Sequence, residues 1–215
     1  MNIYAPPQGK LSYIHVDSDL VVIDKPPELL SVPGRGPEKA DCAVSRAQAD
    51  YPEALTVHRL DMSTSGLLVF ARSKPAQRRL SIQFEKGVVA KSYIAEVWRS
   101  PVPCSGVIDL PLGQDWPNRP RQKVDHAKGK PSQTEYRTVG AHGLGARLAL
   151  TPLTGRTHQL RLHLAAIGHP ILGDDIYAHA DALAAAPRLH LHAARLELMH
   201  PTSNQRLRFE SACPF

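Results

Sequence analysis

Val57-His58-Arg59-Leu60-Asp61-Met62-Ser63-Thr64-Ser65-Gly66 runs directly into Leu67-Leu68-Val69-Phe70-Ala71. How that junction is read decides the fold. Residues 66–71 form a short apolar run bounded by turn-formers, which predicts a buried strand. The polar half before it has two readings. In an ordinary surface turn, Asp, Ser and Thr satisfy neighbouring backbone groups. In the other reading, Asp61 is a carboxylate held at a strand end with Arg59 two positions before it. The decapeptide alone supports both.

Upstream, residues 12–16 and 20–24 are β-rich runs around the turn-former Asp17-Ser18-Asp19, which predicts a hairpin. A Pro/Gly-rich loop follows over 25–37, then a short helix near 42–49. Downstream, Ala76, Leu80 and Phe84 repeat at helical spacing over 75–86, with Pro75 near the start and Gly87 as the stop. Strands are expected over 92–98 and 146–150, with two closing strands over 194–199 and 205–210. Residues 111–133, rich in Pro, Lys and Arg, read as a long basic loop. Residues 157–167 read as a helix with Leu160, Leu164 and Ile167 on one face, stopped by Gly168 and Pro170. No repeat and no linker interrupts the pattern. Strands cluster without regular crossover helices, so the expected class is α+β, a single mixed α/β domain with a mainly antiparallel sheet.

Bulk properties are permissive. A length of 215 residues suits one domain, and 42% hydrophobic with 21% charged residues describes an ordinary globule. The net charge of +6 points to an acidic partner such as RNA, DNA or anionic lipid, although solvated lysines give the same sum. Cys42, Cys104 and Cys213 are odd in number and form no C-x-x-C, which fits reduced thiols rather than a disulfide framework or a zinc ribbon. The N-terminus lacks a basic region followed by an apolar run, so no signal peptide is expected. No apolar stretch approaches the roughly 20 residues that span a bilayer. The expected location is the cytoplasm.

A second chemical stretch is Leu153-Thr154-Gly155-Arg156-Thr157-His158-Gln159-Leu160-Arg161-Leu162-His163. Gly155 and the threonines suit a helix start, with Arg161 one turn beyond His158. A solvated basic face would look the same. The five-residue spacing of His158 and His163 is poor for one helical face, and no Cys or Glu completes a ligand set, so no metal is expected. Tyr93 in Ser92-Tyr93-Ile94 reads first as a core aromatic. Around Trp116, the cations Arg119, Arg121 and Lys123 suit phosphate contacts with stacking, and suit an exposed loop equally. Gly34-Arg35-Gly36 lacks the third glycine of a dinucleotide fingerprint.

Taken in order, the pieces resemble the RluA family of pseudouridine synthases. They are Leu20-Val21-Val22-Ile23-Asp24-Lys25-Pro26-Pro27, His58-Arg59-Leu60-Asp61 with Thr64-Ser65-Gly66, Lys91-Ser92-Tyr93, the 155–163 stretch, and Gly168-His169-Pro170-Ile171-Leu172-Gly173-Asp174. The resemblance implies a catalytic domain over 20–215. Residues 1–19 then supply an extension and first strand, without the S4 RNA-binding module that many relatives carry. Met62-Ser63 after the Asp, and Asp115-Trp116-Pro117-Asn118-Arg119-Pro120, are similar to the single-domain branch that acts on large-subunit rRNA and the tRNA anticodon stem-loop.

The implied reaction breaks the C1′–N1 bond of uridine, turns the uracil and rejoins it through C5, so no cofactor is needed. By resemblance, Asp61 is the nucleophile, a role open to carboxylates because they form adducts that later break down. Attack on the base and abstraction of a sugar proton to give a glycal both remain open. Arg161 is assigned the salt bridge that keeps Asp61 ionised, since a neighbouring arginine lowers a carboxylate pKa by roughly 1–3 units. Tyr93 packs on the uracil, with Leu160 in the apolar wall. A uridine inside folded RNA must be flipped out, and Arg59 is assigned to the vacated space. His58, Arg156, His158, Trp116, Arg119, Arg121 and Lys123 complete the expected RNA and base contacts, and a monomer is expected. A non-catalytic RNA-binding domain would have lost Asp61 or Arg161. A glycoside hydrolase would need a second carboxylate placed by a motif.

Overall fold

The first hairpin forms where expected, with β1 (Ser12–Val16) and β2 (Leu20–Lys25) closing on Asp17, whose Oδ1 accepts the N–H groups of Asp19 and Leu20. In this computed structural model residues 4–143 and 145–215 are described. The chain continues through α1 (Ala43–Asp50), β3 (Leu55–Thr56), β4 (Ser65–Ala71), α2 (Lys74–Glu85), β5 (Ala90–Val97) and β6 (Ser105–Asp109). Next come β7 (Leu112–Gln114), β8 (Gln122–Val124), β9 (Gln133–His142), β10 (Gly145–Pro152), α3 (Gln159–Ala166), α4 (Ala180–Ala184), β11 (Leu191–Met199) and β12 (Arg206–Glu210). The pairs β1–β2, β2–β4, β3–β4, β5–β10, β9–β10, β6–β9, β7–β8 and β11–β12 run antiparallel, and the mixed α/β class with a mainly antiparallel sheet is borne out.

The elements group into two compact units, Met1–Lys91 with Ala193–Pro214, and Ser92–His192 with Phe215. In the first unit β4 is buried along its whole length, as an apolar run covered on both faces must be. It pairs with β2, so that Leu20 faces Ala71 and Lys25 faces Gly66. Gly66 (φ 110°) is required there: a Cβ at this position would lie 2.4 Å from the carbonyl oxygen of Ala193. The core of this unit joins Leu20, Val22, Leu67 and Val69 to Ala76 and Leu80 of α2 and to Leu196, Leu198 and Phe209. Ser73 caps α2 by accepting the N–H of Ala76, with Pro75 in the first turn.

In the second unit the sheet order is β5-β10-β9-β6. Leu160, Leu164 and Ile167 of the expected helical face pack with Ala95, Leu148, Leu150 and Ile171. Two expectations are corrected here. Residues 111–133 are not one long loop, because β7 and β8 form a two-stranded sheet with Leu112 opposite Val124 and Gln114 opposite Gln122. Helix α3 begins at Gln159 rather than at residue 157, because His158 sits in the left-handed region (φ 54°).

Candidate active site

The loop that carries Asp61 is held in place from four directions. At its start, the His58 ring stacks on Phe84, centroids 4.2 Å apart, and its Nε2 accepts the N–H of Val69 at 3.1 Å. Next, the Ser31 hydroxyl donates to Leu60 O (2.7 Å) and accepts from Leu60 N (3.0 Å). The Thr64 N–H then closes a turn on Asp61 O at 3.1 Å. Finally, the fully buried Lys25 ammonium donates to the carbonyls of Pro26 and Leu29 at 2.8 Å and of Met62 at 2.9 Å. Residues on both sides of Asp61 are thus pinned by buried groups while Asp61 itself stays partly open and Arg59 exposed. Locking the backbone around a reacting group removes the cost of ordering it during the reaction.

His58, expected as an RNA contact, spends its ring on the protein. Burial, reinforced by the positive charge of Lys91, pushes its pKa down to about 3. The imidazole is therefore neutral in the native state, and its proton lies on Nδ1 because Nε2 accepts. Unfolding restores the ordinary value of 6.5. The stabilisation this group contributes is complete above pH 6.5 and is lost as pH falls toward 3. Between pH 7 and pH 5 the loss should be about 2 kcal/mol. Urea denaturation at both pH values should show that loss in the parent and a smaller one in His58→Gln, whose amide oxygen can still accept from Val69. Parallel losses in the two proteins would remove His58 as the cause.

The remaining expected residues lie in the second unit. Tyr93, opposite Leu150 across the β5–β10 pair, and Leu160 belong to one apolar cluster. Arg161 is only 3% exposed. Its Nε and Nη2 grip both oxygens of the fully buried Asp174 at 2.8 and 2.6 Å, and Nη2 also reaches Asp175 at 2.9 Å. This fork-to-carboxylate geometry fixes the guanidinium plane. His158 is buried, with Nδ1 2.9 Å from the Tyr177 hydroxyl. His163 is committed at both nitrogens. Its Nε2 donates to Leu110 O and its Nδ1 faces the Thr134 hydroxyl, each at 3.0 Å, and burial holds its pKa below the ordinary histidine value.

The basic hairpin presents its cations outward. Arg119 stacks over Trp116 at 4.8 Å, and Trp116 is 65% exposed. Arg121 and Lys123 are exposed, Lys123 lying 3.5 Å from Asp125. Arg156 is exposed and donates to Pro131 O. Sequence reasoning gave no role to Lys25, Ser31, Asp174, Asp175 or Tyr177. Lys25 and Asp174 do stand inside the quoted motifs, and their burial as charged residues is the signal that only the structure supplies.

Among the described residues one group brings His and carboxylate atoms within 4.8 Å of one another, namely Asp17, Asp19 and His200. His200 Nδ1 accepts the N–H groups of Thr202 and Ser203, so the ring proton sits on Nε2, which faces Asp17 at 3.4 Å. A nitrogen that carries a proton donates it and does not ligate a metal.

Residues 19–166 match the RNA pseudouridylate synthase family. The chain is 50% identical over 217 residues to the dual-specificity RNA pseudouridine synthase RluA of Escherichia coli K12, covering 100% of this chain and 99% of that protein. The Vibrio vulnificus protein of the same name is 50% identical over 207 residues, covering 94% of this chain and 83% of the other. Among solved structures, human RNA pseudouridylate synthase domain containing 1 superposes with a TM-score of 0.80 at 27% identity, covering 98% of this chain and 87% of the human one. No helix among the described residues is long and apolar enough to cross a membrane. A carboxylate loop pinned on both sides, a match spanning most of the motifs and half-identity along the full length agree: the chain belongs to the RNA pseudouridylate synthase family and is an isomerase of uridine in RNA.

Proposed function

We propose that this enzyme modifies uridines in large-subunit rRNA and in the tRNA anticodon stem-loop, with Asp61 as nucleophile. The observation that carries the assignment of Asp61 is the loop geometry, in which Ser31, Lys25, Thr64 and His58 fix the backbone around one partly open carboxylate. Arg161 supplies the positive charge for that carboxylate, Tyr93 and Leu160 supply the surface for uracil, and Arg59 fills the space of the flipped base. Exposed Arg119, Arg121, Lys123 and Arg156 grip phosphates while Trp116 offers a stacking face, reading RNA shape rather than sequence. His58 and His158 act as supports for neighbouring groups. Residues 20–215 form the catalytic domain, acting as a monomer in the cytoplasm.

Two specificities in one enzyme are supported by the shared length and half-identity with relatives whose name states dual specificity. The test incubates the purified protein with unmodified large-subunit rRNA and tRNA transcripts and maps pseudouridine by carbodiimide adducts and primer extension. New stops are expected in both RNAs, and in tRNA they should fall within the anticodon stem-loop. Stops in one RNA alone would remove the dual assignment, and stops in neither would remove both substrates.

A further inference from the structure

Tyr177 lies beyond the last motif read in the sequence, yet the basic hairpin and the start of α3 meet on it. Asp174 places it, since Oδ1 accepts the N–H groups of Ile176 and Tyr177 at 2.9 Å each. The phenol oxygen then accepts the N–H of Gln122, the first residue of β8, at 2.8 Å, and lies 2.9 Å from His158 Nδ1. Around the ring, the guanidinium carbons of Arg121 and Arg161 lie 5.2 and 5.6 Å from the centroid, inside the roughly 6 Å reach of a cation–π contact. Burial pushes the phenol above its ordinary pKa. It is therefore a neutral hydroxyl that accepts from Gln122 and pairs with His158 Nδ1.

A tyrosine that merely fills space needs only its ring. Here the hydroxyl joins β8 to His158, the residue just before α3, and the ring faces Arg121 at the edge of β8 and Arg161 in α3. We propose that Tyr177 is a positioning residue. Its hydroxyl sets the hairpin bearing Arg121 and Lys123 against the start of α3, and its ring seats the Arg161 guanidinium. Grip on RNA phosphate and placement of Arg161 are thereby coupled. The proposal rests on the reading that the hairpin grips phosphate.

The test measures KM, kcat and the salt dependence of affinity on a labelled tRNA anticodon stem-loop for Tyr177→Phe, Tyr177→Leu, Arg121→Ala and the Tyr177→Phe/Arg121→Ala pair. Tyr177→Phe keeps the ring and loses the hydroxyl. It should raise KM about five-fold, the scale of one hydrogen bond, with kcat within two-fold. The slope of log affinity against log salt should flatten by about 0.7–0.9, one phosphate contact. Arg121→Ala should flatten it equally, and the pair should be no worse than Arg121→Ala, because both changes release the same contact. Tyr177→Leu should in addition lower kcat about ten-fold, since Arg161 loses its aromatic face.

A Tyr177→Phe protein with parent KM and parent slope overturns the proposal, as does full additivity in the pair. A lower melting temperature with unchanged KM and slope also overturns it, leaving the tyrosine a stability residue. If Arg121→Ala itself leaves the slope unchanged, the coupling falls because the hairpin does not grip phosphate, and that outcome is distinct from failure at Tyr177.

Discussion

Asp61→Asn is expected to abolish isomerisation, lowering single-turnover rates by at least about 10⁴-fold, the scale seen when a covalent nucleophile is removed. RNA affinity should stay within a few-fold of the parent. The amide has the shape of the carboxylate, and the contacts assigned to phosphate lie on other residues. The loop should also keep its form, because bonds to Leu60, the Asp61 carbonyl, the Met62 carbonyl and His58 pin its backbone. Asn deamidates to Asp, so mass spectrometry must exclude contamination at the level of the residual rate. Measurable turnover by an Asp-free preparation would remove Asp61 as nucleophile. A loss of binding as large as the loss of rate would instead make it a residue for holding RNA.

The elements that sequence reading located are those whose apolar residues carry the signal. Strand β4 is an uninterrupted apolar run, α2 repeats Ala76, Leu80 and Phe84, and the first hairpin turns on Asp17-Ser18-Asp19. Strand β9 carries no such signal. Its burial alternates correctly, but the residues turned inward are Thr134, Tyr136 and Thr138, so no apolar period marks it. Sheet β7–β8 was hidden by composition. Proline and charge predict a loop, while pairing is imposed from outside by bonds such as Leu112 to Lys130 and Gln122 to Tyr177. The start of α3 was misplaced because Gly155 and Thr157 resemble a helix entry, whereas the turn is made by Gln159, whose side chain accepts from Thr154 and Arg156 and donates to Gln133 and Thr134. At the site, reactive residue types at fixed spacing were legible. Their supports were not, because Lys25 is tied to the loop through the distant Met62, and Asp174 holds Ile176 and Tyr177 beyond the motif's end.

Removal of Arg161 should damage chemistry on every substrate, whereas removal of Arg59 should matter most where flipping is costly. Extruding a stacked base costs a few kcal/mol and least for one already unstacked. The comparison is between single-turnover rates of Arg161→Met and Arg59→Ala on a folded stem-loop and on a variant with the target uridine bulged out. Bulging should restore Arg59→Ala to within a few-fold of the parent and leave Arg161→Met at least about 10²-fold slow, the scale of losing one charge-stabilising group at a reacting centre. Arg59 is exposed, so its loss leaves the fold intact. Arg161 is different, because its removal strands the fully buried Asp174 without its cation, and breaking such a pair costs about 3–5 kcal/mol. Arg161→Lys separates the two effects. It keeps a positive charge for Asp174 but not the planar fork that also reaches Asp175, so it should fold and still react slowly on both RNAs. Parent-like rates for Arg161→Lys would mean that charge alone suffices and the fork is dispensable. Equal rescue of Arg59→Ala and Arg161→Met by bulging would mean that both arginines serve the flipped RNA and neither serves the carboxylate.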